Sequence, residues 1–268
     1  MRQFCGELRE RTGLTGLVPT MGALHEGHLS LVRRARAECG IVTASIFVNP
    51  LQFGPNEDFA KYPRTFEDDC SQLAAEGVDL LFAPSPAEMY PQGAVTTISV
   101  EGIGDRLDGA SRPGHFTGVA TVVAKLFNVV KPGRAYFGQK DAAQLAVLRQ
   151  MVRDLNIDVE VVGCPIVRDA DGLALSSRNR YLSTGERVRA LALPRALRRI
   201  ENMIAGGTTE SETLLREGTA ELKDLRADYV AVVDARTLLP VARATPGTLV
   251  AVAAWVGETR LIDNFLVN

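Results

Sequence analysis

Two of the three histidines in this 268-residue chain stand three residues apart in the stretch Pro19-Thr20-Met21-Gly22-Ala23-Leu24-His25-Glu26-Gly27-His28. An imidazole pair at this spacing has three uses. As a metal pair it superficially resembles the metalloprotease HExxH, but that motif sets its histidines at i and i+4 with Glu between them. Here the spacing is one residue short and only His115 remains as a third histidine, which argues against catalytic zinc and leaves no metal ligand set. As helix-start decoration the pair would cap or face water, the plain reading for one histidine and a weaker one for two flanked by glycines. As phosphate-facing donors the imidazoles would stabilise charge growing in a phosphoryl or nucleotidyl transition state. That third use demands a nucleotide and a cation from elsewhere. Lys140 in Gly138-Gln139-Lys140-Asp141 and Arg178 in Ser176-Ser177-Arg178-Asn179 are candidates, although either alone reads as solvated charge.

The elements that would position these groups follow from hydrophobic period. "LTGLVPT" (14–20) and "GIVTASIFVN" (40–49) read as buried parallel strands, and Leu29, Val32, Ala35 and Cys39 recur at helical spacing between them, a βαβ unit. "TFEDDCSQLAAEG" (65–77) reads as a helix with its carboxylates at the favourable N-terminal end. "VDLLFAP" (78–84) and "TTISVE" (96–101) read as strands. Residues 116–130 and 142–156 predict helices flanking the strand "RAYFG" (134–138), with "DVEVVGCP" (158–165) as the last strand of this part. The expected fold is α/β: a Rossmann-like open parallel sheet with helices on both faces over residues 1–167. A smaller α+β domain follows over 168–268, with helices at 184–204 and 208–226 and strands near 228–234 and 248–256. Ligands of such a sheet bind beyond the carboxyl ends of the strands. The histidine stretch falls there, where Gly22 allows close backbone approach, the next helix offers unpaired N–H groups to an anion, and Gly27 leaves room for a flat group. The long connections 49–64 and 102–115 are candidate ligand or lid segments.

Bulk properties bound the partners. Hydrophobic residues make up 46% and charged ones 23%, ordinary for a globular protein, and the formal net charge of −2 without long basic runs gives no support for nucleic acid or anionic membrane as partner. The N-terminal stretch lacks a signal-peptide pattern and no apolar run has the length of a spanning helix, so a cytoplasmic location is expected. Cys5, Cys39, Cys70 and Cys164 are scattered without a CxxC pair and are read as thiols with no assigned role.

"HEGH" after a first βα turn resembles the HxGH motif of the class I aminoacyl-tRNA synthetase and nucleotidyltransferase superfamily, and "SSRN" sits where that superfamily carries its KMSKS-type loop. The blocks "LVPTMGALHEGHLSLV", "SIFVNPLQFGPNEDFAKYPRT", "GHFTGVATVVAKLFNVVKP" and "YFGQKDAAQLAVLRQMVRDLNIDVEVVGCPIVRDADGLALSSRNRYLS" are more restrictive. Together they closely resemble the pantothenate synthetase (pantoate–β-alanine ligase) family from about residue 14 to 183. The lead before the first strand is shorter than that family's custom.

The resemblance implies a reaction in two steps: pantoate carboxylate attacks the α-phosphate of ATP, and the amine of β-alanine then displaces AMP from pantoyl adenylate. It implies Mg²⁺ bound with the ATP phosphates and a homodimer. Carried over by motif position, the catalytic donors are His25, His28, Lys140, Ser176, Ser177 and Arg178. Arg178 stands for the second lysine of a KMSKS loop, the normal state of this family, and adds a planar fork for phosphate. The ATP site further takes in Pro19, Thr20, Met21, Gly22, Gly138, Asp141, Val167 and Leu175. Pantoate is assigned to Met21, Asn49, Gln52 and Gln144, with Phe53 near its dimethyl group; neutral amides donate and accept without clamping the nucleophilic carboxylate. Arg112 and His115 match a family block, with substrate closure and structural support both open as roles. The smaller domain carries the SSRN loop and is expected to act as a lid. Two rivals are another nucleotidyltransferase of this fold, such as a cytidylyltransferase, and a catalytically silent nucleotide-binding protein.

Overall fold

The computed structural model describes residues 14–55 and 57–268; the short lead and Cys5 lie outside the described residues. The described chain divides into two compact units. One holds the residues up to Gly138 together with Val147–Pro165, the other Gln139–Ala146 together with Ile166–Asn268.

The first unit begins with β1 (Thr15–Thr20), α1 (Glu26–Glu38) and β2 (Ile41–Ile46), followed by α2 (Phe66–Ala75), β3 (Leu80–Phe82) and the single turns α3 (Pro86–Met89) and α4 (Asp108–Ser111). It continues with α5 (His115–Val130), β4 (Arg134–Gly138), α6 (Ala142–Asp154), whose start clusters with the second unit, and β5 (Glu160–Cys164). The five strands are parallel in the order β3-β2-β1-β4-β5. Successive residues of β1 and β2 are buried, as a sheet covered on both faces requires. Leu31, Val32 and Ala35 of α1 and Leu73 of α2 pack with Val18, Val42, Ala44 and Tyr136 of the strands. β1 pairs with β2 along its whole length but with β4 only at Gly16 and Leu17. The carboxyl ends of β1 and β4 thus part where the strand order reverses, the position at which a doubly wound sheet opens a ligand crevice.

The second unit adds α7 (Thr184–Ala190), α8 (Ala192–Ala205) and α9 (Ser211–Ala220), then β6 (Arg226–Asp234), β7 (Thr248–Val256) and β8 (Thr259–Leu266) as an antiparallel sheet in chain order. Leu193, Leu197 and Ile200 of α8 bury against Val250, Val252 and Leu261 of that sheet, and Leu173 joins the same core.

Three expectations change. Residues 96–101 form no strand: Ile98 N–H donates to the Thr121 hydroxyl (2.9 Å), and only Ile98 and Val100 of that run are half-buried. The Thr/Ile/Val composition is suitable, but a strand exists only where another strand's edge accepts it. The helix expected over 184–204 breaks at Leu191, and that over 208–226 ends at Ala220, where the chain turns into β6. β8 is absent from the sequence expectations; Asp263 and Asn264 interrupt its apolar pattern. The signal that finds it is the two-residue link Gly257-Glu258 between runs of strand-forming residues, with Gly257 at φ +59°.

Candidate active site

The turn after β1 is built by one buried carboxylate. Gly22 and Ala23 both adopt the left-handed region, at φ +76° and +51°. Asp69 of α2, 1% exposed, accepts the N–H groups of Ala23 (2.9 Å) and Leu24 (2.8 Å). A β-carbon on Gly22 would lie 2.9 Å from Asp69 Oδ2, so glycine is required there for space as well as for φ. The Thr20 hydroxyl donates to Ser45 O (2.7 Å) and accepts from Gly22 N (3.2 Å), closing the turn.

This turn delivers His25 as the N-cap of α1, with Nδ1 accepting Gly27 N–H at 3.1 Å. A neutral ring whose Nδ1 accepts carries its proton on Nε2, so the cap selects the tautomer that donates from Nε2. His28 lies one turn on, its ring centroid 4.1 Å from that of His25. The pair sits just past the carboxyl end of β1, at the helix start, where the dipole favours an anion.

The connection after β2 supplies the second set. Asn49, 1% exposed, donates from Nδ2 to Gln52 Oε1 (3.0 Å) and to Gly118 O (3.1 Å), and its Oδ1 accepts Leu51 N (3.3 Å) and the Tyr90 hydroxyl (2.8 Å). Burial pushes the Tyr90 phenol up to about 12, so it stays a donor. With Oε1 occupied by Asn49, the Gln52 amide turns Nε2 toward Met21 Sδ.

Arg112 and His115 hold the main chain of the same residue. His115 Nδ1 donates to Gln52 O (2.8 Å) and its Nε2 faces Arg112 Nη1 (3.0 Å). Arg112 also donates to Gln52 O (3.2 Å) and makes a two-pronged contact with Glu57 (2.7 and 2.6 Å). Burial pushes the Glu57 carboxyl up and the Arg112 fork outweighs it, leaving its pKa below the ordinary value. Burial, seconded by Arg112, pulls His115 down to about 4. Unfolded His115 takes up a proton near pH 6.5 and the folded residue does not until about pH 4, so its contribution to stability is full above pH 6.5 and falls as the pH drops through that window. Urea unfolding should show the wild type losing up to about 3 kcal/mol more between pH 7 and pH 4 than His115→Gln does; parallel curves would remove His115 as the cause.

In the second unit, Lys140 Nζ lies 3.3 Å from Asp141 Oδ1, directly after β4. A hairpin runs from Val167 to Leu175 around the Asp169–Gly172 turn, closed by Leu175 N to Val167 O (3.0 Å) and Asp169 N to Leu173 O (2.8 Å). It leads into the 3₁₀ turn Ser177–Tyr181, capped by Ser176, whose hydroxyl accepts Arg178 N–H (3.3 Å). Asn179 Nδ2 ties that turn back to Ala174 O (3.0 Å).

Residues 1–266 match the family of pantoate-beta-alanine ligases. The chain belongs to this family. A pantothenate synthetase from Acidobacterium capsulatum is 64% identical over 94% of this chain and 86% of its own. The crystal structure of pantothenate synthetase from Thermus thermophilus superimposes with a TM-score of 0.92 at 52% identity, covering 98% of this chain and 97% of that one. The pantoate-beta-alanine ligase from Francisella tularensis, solved with beta-gamma ATP and beta-alanine, gives a TM-score of 0.81 at 35% identity over 99% and 94% of the two chains.

Of the residues singled out in the sequence, His25, His28, Met21 and Gln52 lie in the first unit with Pro19, Thr20, Gly22, Asn49 and Gly138, while Lys140, Asp141, Gln144, Val167, Leu175, Ser176, Ser177 and Arg178 lie in the second. His25 precedes α1 as its cap, and His28 lies within the first turn of the helix. The Asn49 side chain has both donors and both acceptor positions engaged by protein, so it orients Gln52. The sequence reading misses Asp69, which it treats as a dipole-favoured helix-start carboxylate, and Tyr90; nothing local distinguishes them from exposed counterparts. Among the described residues, no group of three or more His, Cys, Asp or Glu is placed to hold a metal ion, and no helix is long and apolar enough to cross a membrane.

Proposed function

We propose that the chain joins pantoate to β-alanine by way of pantoyl adenylate. A pantoate carboxylate oxygen attacks the α-phosphorus of ATP, the bond to the bridging oxygen breaks, and pyrophosphate leaves with the electron pair. The amine of β-alanine then attacks the acyl carbon, AMP leaves, and the amine gives up a proton. The substrates attack each other directly, so no side chain has to serve as nucleophile.

The observation that carries this reading is the capped His25, whose Nδ1 is held by Gly27 N–H and whose donor is therefore Nε2, beside His28 at the carboxyl end of β1. His25, His28, Lys140, Ser176, Ser177 and Arg178 stabilise the negative charge that builds on the phosphates. Met21, Gln52 and Gln144 bind pantoate, with Asn49 behind Gln52. Pro19, Thr20, Gly22, Gly138, Asp141, Val167 and Leu175 line the rest of the nucleotide site. Mg²⁺ bound with the ATP phosphates would neutralise part of their charge, and the N–H and hydroxyl donors of His25, His28, Lys140 and the SSRN loop would meet the remainder. The second unit carries the SSRN loop as a lid that shields the adenylate from water, and the working form is a cytoplasmic homodimer.

ATP–pyrophosphate exchange tests the reading. Exchange should need pantoate and Mg²⁺ and no β-alanine. Exchange with another acceptor or with CTP would favour a different nucleotidyltransferase, and ATP binding without any exchange would establish a silent nucleotide-binding protein.

A further inference from the structure

The strand least legible in the sequence touches both segments assigned to the ATP phosphates in the second unit. Asp263 and Asn264 are adjacent on β8 and are 2% and 3% exposed. Neighbouring residues of a strand face opposite sides, so one strand can serve two segments. Asn264 Nδ2 donates to Gln139 O (3.0 Å) and to Lys140 O (2.8 Å), and its Oδ1 accepts Gln139 Nε2 (3.2 Å). Both hydrogens of that amide nitrogen are engaged by the backbone that carries Lys140. Asp263 takes the Arg168 guanidinium on both oxygens (2.6 and 2.9 Å), and its Oδ1 also accepts Asn264 N–H (2.8 Å). Arg168 stands in the hairpin that leads to Ser176, and it donates further to Gly172 O (3.1 Å).

We infer that Asp263 and Asn264 are positioning residues for adenylation: Asn264 sets the backbone of Lys140, and Asp263, through Arg168, sets the hairpin that presents Ser176, Ser177 and Arg178. A buried polar pair inside a strand costs desolvation unless every group is satisfied. Here the satisfaction comes from the two segments whose placement the chemistry needs. Preorganised donors act only when held at the right distance, and a misplacement of about 1 Å costs up to roughly 10² in rate.

The inference rests on the adenylating reaction proposed above, so the wild type is measured first; absence of pantoate-dependent exchange there fails that reading and not this one. With exchange present, Asn264→Ala should retain a cooperative thermal transition and pantoate binding by calorimetry, while exchange falls roughly 10- to 100-fold. In a Lys140→Ala background the same substitution should cost less than about threefold, because its effect passes through Lys140. Asn264→Asp keeps the side-chain size and the acceptor for Gln139 but removes the donors to both carbonyls. It should lose exchange to the same degree, and it decides the matter if the alanine variant does not fold. Arg168→Lys, which keeps the charge but not the two-pronged contact, should lose roughly tenfold in the wild-type background and little beside Arg178→Ala. Wild-type exchange in folded Asn264→Asp, or a loss undiminished in the Lys140→Ala background, overturns the proposal.

Discussion

His25→Ala should leave a folded enzyme whose pantoate-dependent ATP–pyrophosphate exchange is roughly 10²–10³-fold slower, the usual cost of removing one preorganised transition-state donor. The imidazole has two jobs of different size. As N-cap it accepts Gly27 N–H, and loss of a cap costs about 1 kcal/mol of stability. As the proposed donor to the ATP phosphates it would contribute roughly 3–4 kcal/mol to lowering the barrier. Thermal unfolding should therefore shift by only a few degrees while exchange nearly disappears. His25→Asn separates the two, because asparagine is among the best N-caps. Its stability should match the wild type and its exchange should remain slow. Lys140→Ala should show a comparable loss by a route that leaves α1 untouched. Near-normal exchange in folded His25→Ala would remove the residue from the mechanism.

Gly118→Ala should be destabilising and should weaken pantoate use, although the substitution is favoured by helix propensity. Alanine gains roughly 0.5–1 kcal/mol over glycine inside a helix such as α5. A β-carbon at Gly118, however, would lie 2.2 Å from Leu51 O, 2.4 Å from Leu51 C and 2.7 Å from Gln52 N. These are backbone atoms and cannot rotate away, so the 49–52 turn must move by about an ångström, and forced overpacking of this kind costs about 1–3 kcal/mol. The clash outweighs the propensity. The turn that moves carries Gln52, and Gly118 O is itself a partner of Asn49. The expected result is a melting point lower by several degrees and kcat/KM for pantoate lower by up to roughly 10²-fold, with KM for ATP little changed. Gly185→Ala in α7, where a β-carbon meets nothing within 4 Å, serves as the control and should be neutral or slightly stabilising. Equal stability and equal pantoate kinetics in both glycine variants would show that the close packing of α5 on the turn has no functional weight.

Much of the site is legible without the structure because its logic is local. The strand-turn-helix start at His25, the scarcity of histidine, and the GQKD and SSRN segments are contained in short runs, and periods of two and 3.6 residues separate strand from helix without long-range information. The misjudged elements share one cause. Residues 96–101 have strand-forming side chains but no strand edge to join, while β8 has a partner in β7 that outweighs the polar Asp263 and Asn264 in its middle.

The parallel α/β sheet, the first βα turn and the set of donors proposed for the phosphates can be read from residue type and spacing along the chain. What holds those residues in place comes from long-range packing. Asp69 grips the turn from 45 residues away, His115 and Arg112 hold the Gln52 carbonyl across some 60 residues, and Asn264 holds the Lys140 carbonyl across 124. A buried polar side chain is matched to its partner by the packing of remote segments, and the free-energy cost of leaving it unmatched arises only in the folded chain.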